Sequence, residues 1–427
     1  MKQDRRQFLL KAAAASAVLA LRPFSSEAFS PNSIPSLPEF KDEEKYWKLV
    51  RDQFPLDKTK TFLNNGTMGP SPYPVINEVT QEMLHVDTIA KYGGYEEETV
   101  AAISNFLGCE KEEMSITRNV TEGINIVCWG VKLNKGDEVI ITTHEHVGNA
   151  GPWLNKSVVQ GIILKPLSPG KDAQETFEII KKSITSKTKM ISIPHVPCTT
   201  GQVYPVKEIC AYARTKGIIT MLDGAHPPGM LNVNLTDIGC DFYSGCCHKW
   251  MLGPKGTGFL YVNKESRKLI QPYYMGGGTD LGWDLLTTPV TFKGYVENGH
   301  RFYYGTQNAA LLKGVIKAIE FHETIGKDNI EKRVKSLSGY FQKNLVAIDS
   351  NIEMMTPFEE ISRGGQVGFK IKGKEMTALQ KYLGERAITT RYVAENNLNN
   401  LRISTHIYNS FAEIDTLLGH IADYMKA

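Results

Sequence analysis

The chain has 427 residues, 41% hydrophobic and 22% charged, which is ordinary globular material with enough core for two domains. Its formal charge of +3 resides wholly in residues 1–28, where Lys2, Arg5, Arg6, Lys11 and Arg22 face only Asp4 and Glu27. The rest is neutral, which argues against nucleic acid and an anionic bilayer as partners.

Arg5-Arg6 precede a short apolar run, Ala12 to Leu21, and Ser26-Glu27-Ala28 follow it. The run is too brief to span a bilayer, and the order of segments resembles a twin-arginine export signal with a cleavage site. An exported, periplasmic protein is expected, with an uncleaved segment acting as an anchor as the alternative. Residues 29–70 read as an N-terminal arm, with a polar helix around 41–53 that packs on the body or on a second subunit. Phe62 to Pro72 is an apolar stub followed by glycines and prolines that impose an irregular backbone. Residues 97–107 carry Val100, Ile103, Phe106 and Leu107 on one helical face, stopped by Gly108. Residues 115–125 pass from a short strand into a helix. The backbone amides of Thr121, Glu122 and Gly123 at its start would seat a phosphate, although every capped helix looks similar.

Residues 135–143 form a turn and a strand ending at His144-Glu145-His146. Met190 to Pro194 is another strand, leading to His195. Gly217 to His226 is a buried strand running into Asp223, and the strand around Phe242 and Tyr243 leads to Lys249 ahead of the turn formers Gly253, Pro254 and Gly256. Strand–helix alternation implies a mainly parallel sheet, and ligands on such sheets bind beyond the strand carboxyl ends. His146, His195, Asp223 and Lys249 all fall at that edge. Alone, Lys249 reads as a surface charge and Asp223 as a turn cap. Together they are what pyridoxal phosphate requires, an amine for the Schiff base and a carboxylate for the pyridine nitrogen. Ser244 and His248, a hydroxyl and an imidazole flanking Lys249, are further phosphate candidates.

The large cofactor domain is assigned to 71–308 and a smaller α+β domain to 309–427, where helical stripes such as Leu312, Val315 and Ile319 are core rather than cofactor contacts. Ser410 to Glu413 is a capping box opening the last helix. Arg402 lies on an apolar strand, where a guanidinium is costly unless paired. A substrate carboxylate or an internal salt bridge would serve. Seven cysteines without framework spacing indicate neither a disulfide scaffold nor a metal cluster. The roles of Cys198, Cys246 and Cys247 stay open.

Asp223-Gly-Ala-His226, Asp241-Phe-Tyr-Ser244-Gly and His248-Lys249-Trp250 resemble the class V aminotransferase family of pyridoxal phosphate enzymes. The isopenicillin N epimerase-like branch, related to cysteine desulfurases and selenocysteine lyases, is the most similar. The likeness implies the type I fold, a large domain with a mainly parallel seven-stranded sheet flanked by helices. It implies an obligate homodimer in which Thr306 reaches the neighbour's phosphate. His146 would stack on the pyridine ring, His226 and Thr199 would contact the cofactor, and Thr121, Glu122 and Gly123 would hold its phosphate. Asn65, Thr67 and Arg402 would contact substrate. Epimerisation, transamination and β-elimination remain open. Desulfuration is disfavoured, because residues 386–401 hold no cysteine where desulfurases carry their nucleophile.

Overall fold

A computed structural model describes residues 43–426, so the expected export signal and the first part of the arm lie outside the described residues. The main sheet comprises β1 (Met114–Thr117), β2 (Glu138–Thr142), β3 (Ile163–Leu167), β4 (Thr188–Pro194), β5 (Ile219–Gly224), β6 (Phe242–Cys246) and β7 (Gly258–Val262). These seven strands lie in the order β1-β7-β6-β5-β4-β2-β3. Only β7 runs against its neighbours. The mainly parallel sheet expected from the alternation is therefore present, with the seven strands that the resemblance implies.

Its inner strands are apolar on both faces because helices cover both. On one face Ile140, Ile191, Ile193, Leu222 and Tyr243 join the helices α3 (Glu96–Leu107) and α7 (Val206–Thr215). On the other, Val139, Ile141, Met190, Met221 and Phe242 join α4 (Val120–Gly130) and α5 (Val147–Gln160). Further helices of this body include α1 (Glu43–Arg51), α2 (Tyr73–Ile89) and α6 (Ala173–Ser183). Tyr46, Trp47 and Val50 of α1 pack with Trp250, Phe321 and Tyr408, so the described part of the arm packs on the protein's own body.

The helix α8 (Ala309–Ile325) puts Leu312, Val315 and Ile319 into the same core as Ile103 and Phe106 of α3. A second core begins in α9 (Lys327–Val346) with Leu337, Phe341 and Leu345. It covers a four-stranded antiparallel sheet of β8 (Ile352–Met354), β9 (Gln366–Ile371), β10 (Arg391–Val393) and β11 (Asn400–Ser404), ordered β8-β9-β11-β10. The helices α10 (Met376–Gly384) and α11 (Phe411–Lys426) complete it. The expected capping box is formed: Ser410 N donates to Glu413 Oε2 at 2.9 Å, and Glu413 N to Ser410 Oγ at 3.2 Å.

The segment 62–72 joins the two sheets. Ser404 N donates to Leu63 O at 2.7 Å, and Gly69 N to His248 O at 2.9 Å. A Cβ on Gly69 would lie 1.9 Å from the Lys249 carbonyl oxygen, so this crossing needs glycine. Among the described residues no helix is long and apolar enough to cross a membrane.

Candidate active site

A cavity of about 270 Å³ lies where β5 and β6 end and β10 and β11 approach. Asp223, near the end of β5, faces it with its carboxyl buried, and Oδ1 accepts the Ala225 amide at 2.9 Å. Burial raises the Asp223 pKa, while the Ala225 amide, Lys249 and His146 pull it down.

Lys249 sits in the turn after β6, closed by Gly253 N donating to Cys247 O at 2.7 Å and Leu252 N to Lys249 O at 3.3 Å. Leu252 takes a left-handed φ of 57° there, a conformation that a leucine keeps only when its surroundings impose it. Lys249 Nζ is 3.5 Å from His226 Nε2. Nδ1 of His226 accepts from Trp250 Nε1 at 3.1 Å and from the Gln366 amide, which assigns the imidazole proton to Nε2, toward Lys249. Burial and then the Lys249 charge push His226 well below the ordinary histidine range.

His146 is the N-cap of α5, its Nδ1 accepting Gly148 N at 3.0 Å. Its imidazole lines the cavity, and burial followed by Lys249 lowers its pKa. His248 also lines the cavity, and its buried Nδ1 has no hydrogen-bond partner among the described residues.

The phosphate seat differs from the expectation. Thr121 lines the cavity together with Asn119 and Val120, but Asn119 Oδ1 already accepts the Glu122 amide at 2.9 Å. The Glu122 carboxylate is spent on Arg118 and on Tyr274 Oη, the latter at 2.6 Å. A Cβ on Gly123 would lie 2.2 Å from Ser244 Oγ, so this glycine permits helix–strand packing rather than phosphate approach. Ser244 is likewise corrected. It is fully buried and bonded to the carbonyls of Val120 and Phe259 at 3.0 and 3.2 Å. Cys246, further along the same face of β6, lines the cavity instead.

On the substrate side, Arg402 is 1% exposed and has no carboxylate within ion-pair distance among the described residues. Its Nη1 donates to Cys198 O at 2.6 Å, and its Nη2 to Asn64 Oδ1 and Thr67 Oγ1, both at 3.1 Å. Burial and then Arg391 push it down to about 9. Thr67 thus lines the cavity beside Arg402. Asn65 does not: its Oδ1 accepts from Tyr408 Oη at 2.9 Å, and Asn64 makes the contact to Arg402. Thr199 is fully buried with an unpartnered Oγ1 and is absent from the cavity wall, which Cys198 forms.

His195 follows β4 as expected, but its ring turns to the opposite side of the sheet. There it meets Tyr243 Oη at 3.2 Å and lines a separate cleft with Tyr204 and Leu231. Thr306 is exposed and takes no part in the cavity of its own chain. Arg391 lines the cavity and was missed; no local sequence signal marks it, because only the strand register opposite Arg402 brings it there.

An unpartnered imidazole nitrogen, a helix N-terminus, a buried carboxyl and an amine around one cavity fit pyridoxal phosphate. Fold and site together define an enzyme of the type I pyridoxal phosphate class. Residues 78–417 match the aminotransferase class-V family. The chain belongs to that family, whose cofactor is pyridoxal phosphate. Isopenicillin N epimerase of Amycolatopsis lactamdurans is 25% identical over 394 residues, covering 89% of this chain and 99% of that one. A probable cysteine desulfurase of Halalkalibacterium halodurans is 33% identical over 325 residues, 72% and 76% of the two chains. Among solved structures, an apo cysteine desulfurase from Thermococcus onnurineus superposes with a TM-score of 0.79 at 25% identity, over 88% of this chain and 97% of that one. A mutant of C-DES with glycine covalently linked to its cofactor gives 0.79 at 24%, over 87% and 99%.

Proposed function

We propose that the protein acts at the α-carbon of an amino acid or amino-acid-derived substrate, as an isopenicillin-N-epimerase-like enzyme. The observation that carries this reading is Arg402, a buried guanidinium with no carboxylate within ion-pair distance among the described residues, facing the cavity that holds Lys249 and Asp223. An uncompensated buried charge is expensive, and a substrate carboxylate supplies its missing partner.

Pyridoxal phosphate, when bound, supplies the electron sink for charge left at the α-carbon. Asp223 would hold the proton on its ring nitrogen, and His146 would flank the ring. Thr121, the start of α4 and His248 would receive its phosphate, and Lys249 Nζ carries the proton to and from the substrate. His226 keeps a donor 3.5 Å from that amine. The 62–72 crossing and the β10–β11 pair wall the site and exclude water.

Epimerisation needs a second proton carrier, and His146, Cys198 and Cys246 line the same cavity as Lys249. Transamination and C–S lysis, which Lys249 serves alone, are the alternatives. Desulfuration stays disfavoured despite the desulfurase names of several relatives. Residues 386–401 lack a cysteine, and burial pushes the thiol of Cys246 up to about 11 and raises that of Cys198. The working unit is a homodimer, with the exposed Thr306 completing the neighbour's phosphate site, exported by the segment 1–28.

The test incubates holoenzyme with an amino-acid panel in deuterated water. Deuterium at the α-carbon with inversion supports the epimerase reading. Release of a keto acid that depends on a second keto acid selects transamination, and pyruvate with ammonia selects lysis. Alanine from cysteine, with sulfur left on the protein, overturns the case against desulfuration. No exchange with any amino acid sinks α-carbon chemistry altogether.

A further inference from the structure

The cavity holds a second cation beside Arg402. Arg391 on β10 is directly opposite Arg402 on β11, and both line the cavity. The two guanidiniums converge on one atom, the carbonyl oxygen of Cys198, at 3.5 Å from Arg391 Nη1 and 2.6 Å from Arg402 Nη1. Their Nη1 atoms are thus no further apart than those two distances laid end to end, about 6 Å. Like charges placed opposite each other across a strand pair are destabilising, so an arrangement of this kind calls for anions.

Only one such anion is present among the described residues. Arg391 pairs through Nη2 with Glu395, four residues along. A guanidinium carries five donors in a fixed fork, and the long contact to Cys198 leaves the Nη1 side of Arg391 poorly satisfied. Arg402 feels the same Glu395 only at longer range and has no acid within ion-pair distance among the described residues, which leaves that place for the substrate carboxylate of the proposed function. The adjoining Nη1 of Arg391 then offers a separate anion position within a few ångströms.

We propose that Arg391 forms a second anion subsite, so that the substrate is an amino acid with a short acidic side chain, of the length of aspartate or glutamate. Arg402 takes the α-carboxylate and Arg391 the side-chain acid, with Glu395 holding the Arg391 fork in place. This assignment rests on the proposed function, which it deepens by naming the substrate class.

The test uses holoprotein and acids that cannot react, with calorimetric titration of succinate and glutarate against butyrate in phosphate-free buffer. Wild type is expected to bind the diacids about tenfold more tightly than butyrate or better, as a charge-assisted bond implies. Arg391→Gln should bring that ratio close to one, with Arg391→Lys retaining part of it, and Arg402→Lys should weaken both classes. The proposal is overturned if wild type shows no preference for diacids, or if Arg391→Gln preserves the preference. It is equally overturned if Arg391→Gln weakens butyrate and the diacids by the same factor, as a single carboxylate shared by both guanidiniums would require. Should Arg391→Gln fail to fold, the wild-type ratio and Arg391→Lys decide. No bond is made or broken in these titrations, so failure of the subsite and failure of the α-carbon chemistry are read separately.

Discussion

Trp250 donates its indole Nε1–H to Nδ1 of His226 at 3.1 Å, and the residue before Trp250 is Lys249. The same tryptophan offers its carbonyl oxygen to two further imidazoles, His322 Nε2 at 3.0 Å and His406 Nε2 at 2.9 Å. Three buried histidines therefore hold the residue adjoining the amine, and one of them directs its remaining N–H at that amine. Trp250→Phe removes the indole donor and frees the His226 tautomer. The expected result is a displaced pH profile and a rate roughly tenfold lower, with the cofactor still bound by its absorbance. An unmoved profile would show that the indole is only packing.

Lys249→Ala should abolish covalent attachment while leaving the fold intact, since the Lys249 side chain is half-buried and its polar contact is His226 Nε2 at 3.5 Å. Borohydride reduction of wild type followed by peptide mapping should place the cofactor's mass on Lys249. Turnover in the variant should fall roughly a thousandfold or more. A reduced adduct on any other lysine would refute the assignment.

Arg402→Lys keeps a cation but loses the fork shared by Cys198 O, Asn64 and Thr67. KM for the amino acid should rise by about ten- to a hundredfold. A corresponding amine without a carboxylate should change much less, and equal losses for both would point to a structural role.

The histidines behind Trp250 make stability depend on pH. Neutral His406 donates at Nε2 to Trp250 O and accepts the Ile407 amide at Nδ1. Burial holds it down to about 3 from an ordinary 6.5, and burial also lowers His322. Below pH 6.5 the unfolded chain takes up protons that the folded chain refuses. The contribution is fully present above 6.5 and is lost as the pH falls toward 3, at up to about 1.4 kcal/mol per pH unit for each such histidine. Urea unfolding at pH 7.0 and 4.5 should show this loss, and His406→Gln should flatten it.

Mixing two damaged variants tests the proposed homodimer and its shared site. In a hybrid of Lys249→Ala and Thr306→Ala subunits, one of the two sites draws Lys249 and Thr306 from different chains and is wild type. Activity of Thr306→Ala should therefore rise on mixing with the inactive Lys249→Ala protein. A purely additive mixture would remove Thr306 from the neighbour's site.

The errors made from sequence share a geometric origin. Ser244 lies on the correct face of β6 but one residue pair too deep, where α4 covers it, and Cys246 at the tip is what reaches the cavity. Asn65 and Thr199 are each one position away from the residue that makes the contact, Asn64 and Cys198. His195 is at the expected edge with its ring on the wrong side. Neighbouring residues in extended chain point in opposite directions, so a shift of one exchanges wall for core.

What could be read from composition, periodicity and motif order was the alternation that builds the parallel sheet, the carboxyl-end edge, Asp223, Lys249, and the oddity of an arginine on an apolar strand. These are local signals, carried by residues close together in the chain. The pairing of Arg391 with Arg402, the grip of three histidines on Trp250 and the crossing of 62–72 between sheets emerged only on folding. The last two join segments far apart in the chain, and the first, though its members are near in sequence, depends on β-register; neither register nor the face each helix covers is written in any one stretch.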